Sequence, residues 1–183
     1  HKQSLMAHFV KVLPSKTFRL HPATCPPYNA DFGGDEMNVH GPQEEEARSE
    51  TQVLLDVKNN MMSAKNNTNL LGCIRDPVTG NFLMSKEKVS GDEASQYLYE
   101  AGVKKNFRKN EVDGKEVFSQ LLPDGIDYEG ENLKIEDGEV VEGVIDDDVI
   151  GDEGGELIKV LDREVGRDRA IEILKKAFAL GTT

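Results

Sequence analysis

Two short runs, Leu133-Lys134-Ile135-Glu136 and Glu139-Val140-Val141-Glu142, alternate apolar with charged residues on either side of Asp137-Gly138. A period of two puts the apolar side chains on one face of a strand, and an Asp-Gly pair adopts the positive backbone angles of a tight turn. The pattern predicts an antiparallel hairpin and commits this stretch to β structure. The segments around it carry helical spacing. Ser90-Gly91-Asp92-Glu93 fits a capping box, Ala94, Tyr97, Leu98 and Ala101 follow at helical intervals, and Gly102 is placed to stop the helix. Residues 114–122 predict a short helix closed by Pro123. Leu157, Ile158, Val160 and Leu161 predict another, and Ile171, Leu174, Ala177, Phe178 and Leu180 form the apolar stripe of a last one before Gly181. The fold class expected is α+β.

Closer to the N-terminus, residues 5–20 mix Met6, Phe9, Val10, Val12, Leu13, Phe18 and Leu20 with polar residues, interrupted at Pro14. The expectation is a strand, a turn and a second strand. Pro22, Pro26 and Pro27 are expected to forbid helix and to favour extended backbone. Glu44, Glu45 and Glu46 open a helix over 43–57, with carboxylates where the dipole favours them and Ala47, Thr51, Leu54 and Leu55 on one face. Residues 59–69 read as a polar loop, and residues 70–74 as a short apolar segment ended by Asp76-Pro77. Phe82-Leu83-Met84 is apolar too.

A chain of 183 residues is long enough to bury a core and suggests one or two domains. No apolar run approaches the roughly 18 residues that span a bilayer, and the N-terminus lacks a signal-peptide layout, so no membrane association and an intracellular, cytoplasmic location are expected. Cys25 and Cys73 lack zinc-site spacing and read as reduced thiols. The net charge of −12 argues against this chain gripping nucleic acid as a whole. Most of that charge is local. Between Asp124 and Glu156 there are fourteen acidic residues against Lys134 alone, so the rest of the chain is nearly neutral. Such a stretch is either a solvated acidic face or a surface for docking a subunit or repelling nucleic acid.

Tyr28-Asn29-Ala30-Asp31-Phe32-Gly33-Gly34-Asp35-Glu36-Met37-Asn38 gathers carboxylates around two glycines. Hard divalent cations such as Mg²⁺ bind carboxylate oxygens, and glycines let a backbone fold tightly enough to aim them at one point. The same residue types also build ordinary surface turns, and spacing leaves both readings open. Other chemistries find no support. The four histidines show no metal spacing, there is no Ser/His/Asp or Cys/His set, and no phosphate loop of the GxxxxGK[ST] kind. An EF-hand counted from Asp31 meets Pro42 where the bidentate glutamate belongs.

The run through Phe18-Arg19-Leu20, Pro26-Pro27-Tyr28-Asn29-Ala30-Asp31-Phe32, Asp35-Glu36-Met37-Asn38, Pro42-Gln43 and Glu45-Glu46-Ala47-Arg48 resembles the largest subunit of multisubunit DNA-directed RNA polymerase, in its archaeal form. Val78-Thr79-Gly80, Leu121 to Gly125, and the stretch from Gly143 to Gly155 resemble the pore region of the same family. The resemblance implies the latter part of a double-psi β-barrel over 1–43, beginning inside a domain, followed by a pore region of helices and a hairpin over 44–183. It implies nucleotidyl transfer in transcription, with Asp31 and Asp35 as Mg²⁺ ligands and Asn29 on the nucleotide sugar. Implied partners are the other polymerase subunits, the second-largest above all, with DNA template, RNA and nucleoside triphosphates. Two positions depart from the family pattern. Gly33 stands where the family has the middle of three aspartates, and Gly41 where it usually has valine. The departure at Gly33 implies a weakened metal site and an isolated chain without activity, and leaves a noncatalytic scaffold or subunit-interaction piece as the alternative.

Overall fold

The computed structural model describes residues 4–183, which divide into two compact units, one ending at Leu71 and one running from Gly72 to Thr183. In the first unit the prolines do not exclude helix. Pro22–Thr24 forms a 3-10 turn and Cys25–Tyr28 a single α-helical turn, α1. Proline tolerates the first turn of a helix because the N–H it lacks has no partner there, so each proline sits where its ring costs nothing. Helix α2 (Glu45–Glu50) runs on through a widened π turn, Thr51–Leu55, and a 3-10 turn, Val57–Asn60, so the helix expected over 43–57 is present but uneven. Between the last two pieces the backbone of Asp56 is extended, and its buried side chain accepts the Lys58 N–H at 3.0 Å.

Residues 5–20 are not the strand pair expected from their alternation. The one bridge this segment makes among the described residues is at Ala7, which donates to Leu55 O at 2.6 Å and accepts from Val57 N at 3.2 Å. Beyond it the backbone is irregular, and Phe9 and Val12 stand 87% and 91% exposed. Alternation makes a segment able to pair, but a ladder needs a second strand to supply its hydrogen bonds.

In the second unit the Asp76-Pro77 pair opens a helix, α3 (Asp76–Lys86), which absorbs Phe82-Leu83-Met84. Its inward positions are Pro77, Asn81 and Ser85, small or polar residues that leave no apolar period to read. Strands β1 (Lys88–Ser90) and β2 (Glu111–Asp113) pair antiparallel and flank α4 (Gly91–Glu100). After α5 (Gly114–Ser119), strands β3 (Tyr128–Glu129), β4 (Leu133–Glu136) and β5 (Glu139–Gly143) form an antiparallel sheet in chain order. The hairpin turns at Asp137 and Gly138, with φ of 50° and 80°, as its sequence predicts. Helices α6 (Asp147–Ile150), α7 (Glu156–Val165) and α8 (Arg167–Leu180) complete an α+β unit. Its core joins Leu98, Val117, Phe118, Ile135, Ile145, Val149 and Leu157, each 1% exposed or less.

Two buried serines fasten helices to strand β5 and to the segment that follows it. Ser119 Oγ accepts the Val140 N–H at 2.9 Å while donating to Lys115 O, and Ser85 Oγ accepts the Ile145 N–H at 3.3 Å while donating to Phe82 O. The last turn of α8 lies so close to α3 that a Cβ on Gly181 would strike Pro77 O, and one on Gly80 would strike Gly181 O. Because backbone cannot yield as a side-chain tip can, Gly181→Ala is expected to cost about 1–3 kcal/mol in denaturant unfolding, whereas Gly41→Ala, with open space around it, leaves the midpoint unchanged.

The predicted capping box is present: Glu93 N–H donates to Ser90 Oγ at 3.2 Å and the Glu93 carboxylate accepts the Ser90 N–H at 3.0 Å. The Ser90 backbone bond, then the Ser90 hydroxyl, hold the Glu93 carboxyl below its ordinary 4.5. A depressed carboxyl pKa stabilises the fold above the unfolded value, and that contribution is lost as pH falls through the folded value. Thermal melting of wild type against Glu93→Gln should therefore differ at neutral pH, the gap closing only as pH falls below 4.5 and the folded carboxylate protonates.

Candidate metal centre

Helix α1 ends at Asn29, whose φ of 50° turns the chain out of the helix while its N–H donates to Pro26 O at 3.0 Å. Asparagine tolerates this left-handed backbone better than most residues, so the turn-forming role of Asn29 is realised, with the side chain exposed. Immediately before it, the Tyr28 hydroxyl meets His8 Nε2 at 2.6 Å and Met6 O at 3.4 Å. The start of the loop is thereby tied to residues twenty positions earlier. Burial pushes the His8 pKa down, with the Asp56 carboxylate opposing, and burial pushes the Tyr28 phenol up, so both groups are neutral at pH 7. Sequence reading assigned His8 no specific task, and nothing in its spacing marks it as the anchor of this loop.

Past Ala30 the loop closes on itself. Asp35 Oδ2 accepts the Asp31 N–H at 2.9 Å, and Asp31 Oδ1 accepts the Gly33 N–H at 2.7 Å. Gly34 takes φ of 100°, a conformation open to glycine and strained for other residues. Asp31 and Asp35 are thus brought together by the loop, both exposed, each with one oxygen bound to backbone. Glu36 is exposed, as are Lys11 and Arg19. Among the described residues no group of three His, Cys, Asp or Glu side chains is arranged to hold a metal ion. Mg²⁺ commonly keeps several waters and takes one or two carboxylates plus substrate phosphates. Two aspartates fit such a hydrated ion and do not fit a protein-caged one. A Cβ on Gly33 would lie 3.1 Å from Asp31 Oδ1, the tip of a rotatable side chain, so a third carboxylate can enter here by displacing Asp31 slightly.

The loop falls within a match of residues 1–57 to the family model described as RNA polymerase Rpb1, domain 2, and residues 60–183 match the model for domain 3 of the same protein. The chain belongs to the RNA polymerase Rpb1 family. It is similar to DNA-directed RNA polymerase subunit Rpo1N of Halobacterium salinarum, at 38% identity over 98% of the chain and 20% of the relative. It is likewise similar to the subunits of the same name from Methanothermobacter thermautotrophicus (37% identity, 98% of the chain, 23% of the relative) and Methanococcus vannielii (36%, 97% and 23%). The chain spans about a fifth to a quarter of the length of these curated relatives. No helix among the described residues is long and apolar enough to cross a membrane.

Within this Rpb1 segment the third carboxylate is expected to decide metal affinity. Calorimetric titration should show weak Mg²⁺ binding or none by the present chain, and Gly33→Asp should tighten it about tenfold or more, since one added charge at ~4 Å contributes on the order of 1–4 kcal/mol. Tight binding by the present chain would show that the third carboxylate does not decide affinity, and no gain on Gly33→Asp would sink the assignment of this loop to a metal.

Proposed function

We propose that this chain works as part of the catalytic subunit of a DNA-directed RNA polymerase, with the loop from Asn29 to Asp35 at the nucleotidyl-transfer site of the assembly. The observation that carries the reading is the succession of two Rpb1 domain matches along one chain, with the aspartate loop inside the first. The relatives' name, DNA-directed RNA polymerase subunit, supplies the reaction class. Under this reading residues 1–43 are the latter part of a double-psi β-barrel and residues 44–183 form a pore region of helices and a hairpin. Asp31 and Asp35 are the Mg²⁺ ligands, and the ion, when bound, supplies positive charge to phosphoryl oxygens. Asn29 offers an uncharged amide that both donates to and accepts from a nucleotide sugar hydroxyl. The anchored pair His8 and Tyr28 holds the start of the loop in register. The second-largest subunit, DNA template, RNA and nucleoside triphosphates are the partners, in the cytoplasm.

A second reading, a noncatalytic scaffold or subunit-interaction piece, draws on one specific observation. Both aspartates already satisfy backbone N–H groups of their own loop, and Gly33 removes the middle carboxylate of the family pattern. One experiment separates the two. The purified chain alone is expected to show no template-directed primer extension. When its sequence replaces the matching stretch of the Halobacterium salinarum subunit in a reconstituted polymerase, extension should be depressed with Gly33 and recover with Gly33→Asp. An assembled enzyme indifferent to Gly33→Asp and to Asp31→Ala would overturn the catalytic reading in favour of the scaffold, whereas extension by the isolated chain would rule out the scaffold and overturn the expectation that activity needs the assembly.

A further inference from the structure

In a chain of net charge −12, the segment between α4 and β2 is an exception. Lys104, Lys105, Arg108 and Lys109 fall within six residues that hold no acid. Lys109 is held by Glu116 at 2.7 and 2.9 Å, but Lys104, Lys105 and Arg108 are exposed and form no ion pair among the described residues. The carbonyl end of α4 accounts for only about half a negative charge, so at least two cations are left over.

The segment is anchored rather than loose. Helix α4 stops at Gly102, with φ of 77°, and Val103 N–H donates back to Leu98 O at 2.7 Å. Four residues on, Phe107 N–H donates to Ser95 Oγ at 2.9 Å, and Ser95 donates in turn to Gly91 O. The chain then passes so close to the start of α4 that a Cβ on Gly91 would strike Lys109 O. Between these fixed points lies a half-open cleft of about 260 Å³, lined by Tyr99, Val103, Lys104, Lys105 and Asn106. Tyr99 belongs to the last turn of α4 and is 73% exposed, an unusual cost for an aromatic ring with no partner in the core.

An exposed aromatic ring, an amide and unpaired cations around one cleft form the chemistry that binds a nucleobase and its flanking phosphates. The ring offers a face on which any base stacks, and the lysines neutralise backbone charge. An acidic peptide would use the cations and leave the ring and amide idle. From this we infer that the cleft after α4 is a binding site for single-stranded nucleic acid, with Tyr99 stacking a base, Lys104, Lys105 and Arg108 meeting phosphates, and Asn106 placed at a base edge. The fourteen acidic residues of 124–156 disfavour polyanions elsewhere on this unit and so confine binding to the patch. The inference uses neither the aspartate loop nor a metal.

Fluorescence anisotropy of a labelled twelve-nucleotide oligouridine, titrated with the full chain in EDTA at 50 and 200 mM salt, tests it. Three phosphate contacts on a single strand give a salt slope near −2, which should fall to about −0.7 in the double variant Lys104→Ser, Lys105→Ser. Tyr99→Ala should weaken binding about tenfold while leaving the salt slope in place, because stacking is lost and charge is not. Both substitutions are at exposed positions, and circular dichroism checks that the variants fold. Asp31→Ala should change nothing, which separates this site from the metal loop. No binding at 50 mM salt, binding insensitive to both variants, or displacement by polyglutamate of equal charge as readily as by unlabelled oligouridine would each overturn the inference, the last making the patch a docking surface for acidic protein.

Discussion

The second unit depends on a single buried amide. Asn81, fully buried on α3, donates one hydrogen to Pro77 O at 2.7 Å in its own helix and the other to Ala177 O at 2.8 Å in α8, ninety-six positions along the chain. Its Oδ1 has no partner among the described residues, a desolvation cost that the two donated bonds and the close packing offset. The glycines at Gly80 and Gly181 let the two backbones approach, and without them the amide would fall short of α8. Helix α8 packs in turn on α7, and α3 on α5, so the first and last helices of the unit close it around the sheet. At the α7–α8 corner, Arg167 grips Asp162 with two bonds of 3.1 and 3.0 Å, which holds the guanidinium above its ordinary pKa and fixes the angle between helices.

The aspartate loop obeys a different economy. Its carboxylates complete the backbone hydrogen bonding of their own turn, so the loop is formed before any ion arrives. A preformed turn of this kind lowers the ordering cost of binding, but it also gives each aspartate something to do without a ligand. That is why the same geometry fits a hydrated Mg²⁺ ion and a plain Asx turn equally well, and why the identity of residue 33 carries so much weight. The loop is oriented from behind by His8 and Tyr28, whose neutral forms keep the contact free of competing charge.

Charge is also divided within the second unit. The acidic stretch contains Asp147, whose carboxyl is pushed up by burial and then by Asp152, Asp148, Asp146 and Glu153 around it. Beside it, Cys73 is driven to about 12 by burial, with Asp147 adding to the shift, so this thiol is inert. The crowding is a standing electrostatic cost, partly relieved where Asp146 caps α6 and accepts from Asn132. The cations after α4 stand apart from it in sequence and keep the exposure that a ligand needs.

What the sequence by itself determined are the features written in a few neighbouring residues. The Asp137-Gly138 hairpin, the Ser90 and Glu93 capping box, the helices over 156–165 and 167–180, and the membership in the polymerase family are of this kind. Each rests on a local period, a local cap or an ordered string of side chains, so no distant contact is needed to read it. Helix α3 escaped because its buried face is Pro77, Asn81 and Ser85, whose reason for being inside is a partner almost a hundred residues away. The strands expected over 5–20 failed for the opposite reason: their alternation is real, but pairing is a property of two segments and only Ala7 finds one among the described residues. Only the tertiary structure decided that His8 anchors Tyr28, that the two aspartates turn onto their own backbone, and that Tyr99 and the lysines share a cleft. These are meetings between residues through space, set by packing and hydrogen-bond closure, and no spacing along the chain encodes them.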